Sequence, residues 1–222
     1  MKKWVVANWK MNGSQDLLNA YKNVFSTLDN LIVCPPFVYM DKFGINLGAQ
    51  NVHHLSNGAY TGEISAQMLK DVGVNYCLVG HSERRQFFNE SDDLVKAKAA
   101  QCQEVDVTPI ICIGESLNDY LNGQTNQVLS QQLNNCLPSA SKFWIAYEPL
   151  WAIGTGKTPT MSEIAAVHDM LRGHLPNVVL LYGGSVSNVN ASKIFTISNV
   201  DGVLVGGASL DIETITKIYD LA

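Results

Sequence analysis

Short runs of apolar residues, rich in valine, isoleucine and leucine, recur along the whole chain. Eight such runs are present, and most are apolar at nearly every position instead of at alternate positions. Near-continuous apolar runs are typical of parallel strands that are covered on both faces. The eight predicted strands are residues 4–7, 31–34, 45–49, 76–80, 107–114, 143–147, 177–184 and 201–207.

Helix-like stretches lie between most of these runs. Ser14 precedes one at residues 15–28 and Ser91 precedes another at residues 92–104, and each serine is placed to cap a helix. From Ser162 onward, apolar residues recur three and four positions apart, which predicts a helix that begins at this serine. The chain therefore alternates between strands and helices.

Eight strand–helix alternations in a chain of 222 residues predict a (β/α)8 barrel, in a single domain that spans residues 1–222. No composition shift marks a domain boundary. An open doubly wound sheet is the alternative, although no Gly-x-Gly-x-x-Gly motif follows the first run. Only ten residues separate the second run from the third. A complete crossover usually needs at least about 10–12 residues, so the second helix is expected to be reduced to a stub.

Composition and charge exclude several classes of protein. Hydrophobic residues make up 46% of the chain and charged residues 16%, as in globular proteins. A net charge of −5 argues against a general nucleic-acid binder, which would show a basic stripe. The apolar run at residues 4–7 is too short for a signal peptide or a membrane span. Five cysteines without a Cys-x-x-Cys pair favour reduced thiols and a cytoplasmic protein.

The residues that follow each run are the candidates for chemistry, because barrel active sites lie at the carboxyl ends of the strands. Glycine-rich turns after the last two runs free backbone N–H groups for an anion, and this is the usual phosphate site of the fold. A small phosphorylated substrate is therefore expected. The candidates in chain order are Asn8, Lys10, His81, Ser82, Glu83, Gly114, Glu115, Glu148, Gly183, Gly184, Ser185, Gly206 and Gly207.

Each candidate alone also has an ordinary structural explanation. A glutamate after a strand is most often a helix cap or a surface residue, and a lone lysine is most often solvated. Glu115 and Glu148 follow neighbouring runs and could form the carboxylate pair of a glycosidase. No His-Glu-x-x-His motif or carboxylate cluster is present, so no metal is expected. The joint placement of the candidates at one end of a barrel favours a single active site.

Seven motifs, taken in order, are specific enough to indicate a family. The two most specific are GHSERR at residues 80–85 and AYEPLWAIGTGKTP at residues 146–159. With them, the chain from residue 4 to about 210 resembles the triosephosphate isomerase family. The resemblance implies a TIM barrel and a homodimer without a cofactor. It also implies interconversion of dihydroxyacetone phosphate and glyceraldehyde 3-phosphate, in glycolysis and gluconeogenesis. The other motifs are NWKMNG, AQN with NGAYTGEIS, CIGE, YGGSV and DGVLVGGASL.

The resemblance also implies roles for single residues. Glu148 corresponds to the catalytic base and His81 to the electrophilic imidazole, while Lys10 and Asn8 correspond to the pair that binds and polarises the substrate. Residues 149–158, called the lid below, correspond to a mobile loop. The remaining implied assignments are phosphate binding by Asn8, Lys10, Gly154, Ser185, Gly206 and Gly207, support by Glu83 and Ser82, latching of the lid by Tyr182, covering of the base by Ile153 and Leu204, and a dimer contact by Thr61 in an arm at residues 50–65.

The implied reaction, proton transfer between adjacent carbons through an enediolate, needs these residue types. A general base must reach the carbon-bound proton, and a carboxylate becomes a stronger base when water is removed from it. A lid with hinges at Pro149 and at Gly154–Gly156 would exclude that water. An aldolase would need a Schiff-base lysine inside a strand, and none of the eight predicted strands contains a lysine. A non-catalytic phosphate-binding or interaction protein that retained the fold remains an alternative.

Overall fold

The computed structural model describes residues 2–25, 29–40, 46–139, 142–153 and 157–222. Within these residues, eight parallel strands form a closed barrel in which each strand pairs with its sequence neighbours and the last pairs with the first. The predicted (β/α)8 barrel is confirmed. Its strands are β1 (Trp4–Asn8), β2 (Leu31–Cys34), β3 (Asn46–Ala49), β4 (Val74–Val79), β5 (Thr108–Ile113), β6 (Trp144–Tyr147), β7 (Leu180–Tyr182) and β8 (Gly202–Val205).

Helices cover the outside of the barrel. Of those that the structure describes, none combines the length and apolar character that crossing a bilayer requires. The helices found in the described ranges are α1 (Gln15–Phe25), α2 (Ala66–Asp71), α3 (Ser82–Phe88), α4 (Asp92–Glu104), α5 (Leu117–Leu121), α6 (Thr125–Cys136), α7 (Met161–His174), α8 (Ala191–Phe195) and α9 (Ile212–Asp220).

Two of the three predicted helix starts are confirmed. The Ser14 hydroxyl accepts the Leu17 N–H at 3.1 Å, and the Ser91 hydroxyl accepts the Leu94 N–H at 3.3 Å. The start predicted at Ser162 is wrong, because α7 begins at Met161 and is capped by Thr160. The Thr160 and Glu163 side chains each bind the other residue's backbone N–H, which is a capping box and satisfies two donors at once.

The second crossover is reduced, as its length predicts. Between β2 and β3, the described residues form one short 3-10 turn, Phe37–Tyr39, and residues 41–45 lie outside the described ranges. This saving helps a chain of 222 residues to close an eight-stranded barrel.

The inside of the barrel is a packed core and not a pore. Three aromatic rings, Trp4, Tyr76 and Trp144, close its amino-terminal end, and the Trp144 ring centroid lies 4.8 Å from that of Trp4 and 4.9 Å from that of Tyr76. A functional pocket is therefore confined to the carboxyl ends of the strands. The side chains that fill the interior are Val6, Ile32, Cys34, Leu78, Ile110, Cys112, Ala146, Leu181 and Leu204.

Closure between β8 and β1 depends on a glycine. A Cβ added at Gly202 would lie 2.3 Å from the carbonyl oxygen of Trp4, its partner in the strand register. We expect Gly202→Ala to lower the free energy of unfolding by about 1–3 kcal/mol, because backbone must move to admit the methyl group. Urea unfolding measures this difference.

The matched control is Gly173→Ala in α7, where an added Cβ meets nothing within 4 Å. This variant should gain about 0.5–1 kcal/mol, since alanine loses less backbone freedom in a helix than glycine does. Equal stability of the two variants would contradict the close approach of β8 to β1.

Candidate active site

Glu148 lies directly after β6 and is only 2% exposed. Its Oε2 accepts the Ser82 backbone N–H at 2.8 Å, and its Oε1 lies 3.1 Å from His81 Nε2. A Cβ added at Gly183 would come within 2.9 Å of the Glu148 Cγ, so glycine at this position leaves room for the carboxylate. The buried charge is thus held by a backbone N–H at the first turn of α3 and by an imidazole.

His81 caps α3 with its side chain. Its Nδ1 accepts the Glu83 backbone N–H at 3.2 Å. A ring nitrogen that accepts a hydrogen bond carries no proton, so the proton of this imidazole is on Nε2. Nε2 faces Glu148, and His81 is therefore placed as a hydrogen-bond donor into the pocket described below.

Lys10 reaches the same region from the loop after β1. Its Nζ lies 2.6 Å from Glu83 Oε1, and its backbone N–H donates to the Asn8 Oδ1 at 3.0 Å. The backbone of Lys10 has a φ of 53°, in the left-handed region that lysine rarely adopts. A Cβ added at Gly206 would lie 3.1 Å from the Lys10 Cε. The ion pair with Glu83 thus fixes the ammonium, the strained backbone of Lys10 directs the side chain, and glycine at position 206 leaves room for it.

The Gln50 side chain supports the loop that carries Lys10, a contact that the sequence did not predict. Its amide Nε2 donates to the Lys10 carbonyl at 2.9 Å and to the Cys34 carbonyl at 2.8 Å. These two bonds tie the loop after β1 to the end of β2. The sequence carries no signal for this contact, because a glutamine after a strand is compatible with many environments.

A pocket of about 260 Å³ opens at the carboxyl ends of the strands and brings most of the predicted residues together. Apolar Ile153 and Leu204 line it together with Glu148, and their role in covering the base stays a prediction. A pocket of this size fits a small metabolite. The lining residues that the structure describes are Asn8, Lys10, His81, Glu148, Ile153, Gly183, Gly184, Ser185, Val186, Leu204, Gly206, Gly207 and Ala208.

The comparisons with known proteins decide the family. The family model described as triosephosphate isomerase matches residues 3–222. The chain belongs to the triosephosphate isomerase family. It is accordingly an enzyme, an isomerase whose substrate is a phosphorylated triose, as the sequence motifs predict.

Individual relatives of the family give the same result. A triosephosphate isomerase of Wolbachia pipientis wMel is 42% identical, over 96% of this chain and 91% of that protein. A triosephosphate isomerase of Nitrosococcus oceani is also 42% identical, over 98% of both. The crystal structure of triosephosphate isomerase from Bartonella henselae is 33% identical with a TM-score of 0.90, covering 100% of this chain and 99% of that one.

The turn after β7 contacts the lid. The Ser185 hydroxyl donates to the Ala152 carbonyl at 2.6 Å, so this side chain links the turn to the 3-10 turn Leu150–Ala152. Gly154, predicted to bind phosphate, lies outside the described residues, as does the rest of the predicted hinge at residues 154–156.

Of the predicted site residues that the structure describes, Ser82, Glu83, Tyr182 and Thr61 do not line the pocket. Tyr182 is fully buried, and its hydroxyl has no hydrogen-bond partner within the described part of the chain. Thr61 is exposed on the arm. The role of Tyr182 as a latch and that of Thr61 as a dimer contact therefore stay predictions.

Glu115 does not share the pocket with Glu148. It is fully buried, and its Oε1 accepts the Trp151 Nε1–H at 2.8 Å and the Tyr147 hydroxyl at 3.1 Å. Burial raises the pKa of Glu115, and hydrogen bonds from Trp151, from its own backbone and from Tyr147 partly offset the effect. A glycosidase pair of Glu115 and Glu148 is thus not formed, in agreement with membership of the triosephosphate isomerase family.

The described residues show no group of three His, Cys, Asp or Glu side chains that could hold a metal ion. All five cysteines of the chain lie in the described ranges, and each is a buried, free thiol. Among the described residues that line the pocket, the ionisable side chains are Glu148, His81 and Lys10.

Proposed function

We propose that this chain interconverts dihydroxyacetone phosphate and D-glyceraldehyde 3-phosphate through an enediolate, with Glu148 as base and His81 as electrophile. The observation that supports these roles is the convergence of three side chains on one pocket. A buried carboxylate, the Nε2–H of a histidine and a lysine ammonium all line it. These are the groups that a proton transfer next to a carbonyl requires.

Substrate binding is assigned to the phosphate group. Backbone N–H groups of the turns at Ser185 and at Gly206–Gly207 would hold the phosphate, with the Lys10 ammonium nearby. The phosphate does not react. Its binding free energy instead positions the two reacting carbons and is available to favour closure over the site.

Proton transfer is assigned to Glu148. Its carboxylate would take a proton from one carbon, while the electron pair of that C–H bond moves onto the neighbouring carbonyl as an enediolate forms. The substrate oxygen would replace Glu148 Oε1 as acceptor of the His81 Nε2–H. Because both the imidazole and Lys10 are fixed before the reaction, they stabilise the developing oxyanion without reorganising. Glu148 would then return the proton to the adjacent carbon, while the hydroxyl proton on the oxygen of the first carbon passes to the second oxygen and the first C–O bond becomes the new carbonyl.

A coupled spectrophotometric assay of the purified protein tests the proposal. It would follow dihydroxyacetone phosphate formation from glyceraldehyde 3-phosphate, with the Glu148→Gln variant measured alongside. Rapid turnover that the variant loses would support the assigned roles. A folded protein that binds a phosphate analogue without turnover would instead support a non-catalytic phosphate-binding or interaction protein.

We further propose a homodimer in which the arm at residues 50–65 docks into the partner. Large apolar side chains on the surface support this: Met11 is 95% exposed and Phe87 is 67% exposed. Exposed apolar surface of this kind is typical of protein–protein contacts. Sedimentation velocity should therefore show a dimer, and Thr61→Arg should raise the dimer dissociation constant at least about tenfold, or about 1.4 kcal/mol.

The control for this experiment is Leu121→Arg, which adds the same charge at an exposed position of α5 outside the arm. It should sediment as the unchanged protein does. A monomer with full activity would contradict the roles of the arm and of Thr61.

The proposal also covers the cellular location and the domain organisation of the chain. We infer a cytoplasmic location, which five free cysteine thiols support because reducing compartments keep thiols unpaired. We also infer that residues 1–222 form one domain, because the barrel closes only when β8 pairs with β1.

A further inference from the structure

A second cavity of about 180 Å³ lies beside the 3-10 turn Leu150–Ala152. None of its described lining residues also lines the active-site pocket. An apolar cavity of about 150 Å³ holds a benzene ring, so this one has room for a six-membered ring with a small substituent. The described residues that line it are Glu115, Tyr120, Thr125, Asn126, Tyr147, Trp151, Pro159, Glu163, Ala166 and Val167.

Aromatic rings form part of the wall of this second cavity. The rings of Tyr120 and Trp151 stack with their centroids 4.2 Å apart and their planes 25° apart. Tyr147 adds a third aromatic side chain. Aromatic faces carry partial negative charge, so they attract a flat ring by stacking and a cation by cation–π interaction.

The charged groups of the second cavity are all acidic. Glu115 and Glu163 line it, and none of the described lining residues is a lysine or an arginine. Glu163 is already engaged, since its Oε1 accepts the Tyr120 hydroxyl at 2.6 Å and its Oε2 binds Thr160. The acidic character of the wall therefore favours a positively charged ligand.

Glu115 gives the second, independent indication of a ligand. The side chain is fully buried, and the two hydrogen bonds that it accepts from other side chains are both made by Oε1. Its Oε2 is buried and has no hydrogen-bond partner in the described part of the chain. An unsatisfied buried carboxylate oxygen costs about 1–3 kcal/mol or more, and a donor from a ligand would remove that cost.

We propose that this cavity binds a small, flat organic cation, an amidinium or guanidinium group on a six-membered ring. The cationic N–H groups would donate to Glu115 Oε2, and the ring would lie against the aromatic wall of Tyr120 and Trp151. A planar cation with several donors matches a carboxylate oxygen better than a single hydroxyl does. The site is separate from the isomerase site and does not depend on the catalytic roles proposed above.

The test compares two probes of the same shape by calorimetric titration, the benzamidinium ion and neutral benzamide. Benzamidinium should bind with a dissociation constant at least about tenfold lower than that of benzamide. Saturating inorganic phosphate should not displace benzamidinium, because the two pockets share no described lining residue. Equal binding of the two probes, no binding of benzamidinium at millimolar concentration, or its displacement by phosphate would overturn the proposal.

Two variants locate the site. Glu115→Gln keeps an acceptor for Trp151 and should weaken benzamidinium binding at least about tenfold, while benzamide binding stays the same. Ala166→Leu adds volume at the wall of the cavity from α7 and keeps both glutamates, and should weaken both probes. Unchanged benzamidinium binding in Ala166→Leu would overturn the assignment to this cavity, whether or not Glu115→Gln folds.

Discussion

Glu148→Gln is expected to lower kcat by at least about 10²-fold, the lower end of what general-base catalysis contributes. The amide has the shape of the carboxylate but cannot take a proton from carbon. Its oxygen can still accept the Ser82 N–H that holds Glu148 Oε2 at 2.8 Å. The variant should therefore fold normally and fail in the proton-transfer step. The coupled assay measures the loss of turnover.

Binding separates a catalytic role from a structural one. Glu148→Gln should bind a non-isomerisable phosphate analogue within about a factor of three of the unchanged protein, since glutamine leaves the phosphate turns intact. The control is Glu213→Gln on the surface of α9, which removes a carboxylate that pairs with Lys217 and should not alter kcat. Near-normal turnover of Glu148→Gln would show that another group is the base.

The free energy of unfolding is expected to fall by about 3 kcal/mol between pH 6.5 and pH 4 because of one buried histidine. His168 is fully buried in α7, and desolvation lowers its pKa from 6.5 to about 4. In that window the unfolded chain binds a proton that the folded chain does not, so stability decreases as the pH falls. Urea unfolding across the window measures the slope, which is at most about 1.4 kcal/mol per pH unit from this group.

The variant that isolates this effect is His168→Asn. The His168 Nδ1 lies 3.1 Å from the Asn199 carbonyl, and the asparagine amide keeps a donor near that position without a titrating ring. The stability difference between the unchanged protein and His168→Asn should therefore shrink as the pH falls. The exposed His174, also in α7, is the control: His174→Asn should follow the unchanged protein. A parallel loss of stability in His168→Asn would contradict the assignment.

The strands were predictable because burial on both faces leaves continuous apolar runs. Residues 31–34 were predicted and found as β2 without change. The seventh run was predicted at residues 177–184, but β7 covers only Leu180–Tyr182. Its carboxyl end leaves the sheet early because Gly183 and the residues after it form the wall of the active site. An apolar pattern cannot show where a strand gives way to a functional turn.

The start of α7 was mispredicted although its signal is present in the sequence. Thr160 and Glu163 have the spacing of a capping box, and this local signal competes with the choice of Ser162. The weight given to apolar periodicity placed the start one residue too late, since the first fully buried apolar residue of the helix is Ile164.

The site was predictable as far as it depends on side chains at strand ends. Asn8, Lys10, His81 and Glu148 do line one pocket. The parts that were not predictable are backbone groups and contacts between distant segments. The Ser82 N–H that holds Glu148 and the Gln50 amide that holds the Lys10 carbonyl leave no pattern in the chain. Only the closed barrel brings these groups together.

Under the catalytic role proposed for Lys10, its left-handed backbone sets catalysis against thermal stability. A non-glycine residue with a φ of 53° costs of order 1–3 kcal/mol, and the surrounding contacts must hold it there. A selection for heat resistance alone would favour glycine at this position and would discard the ammonium. Laboratory evolution of this chain therefore needs a growth-linked requirement for turnover at every round, or the most stable lineages will be the inactive ones.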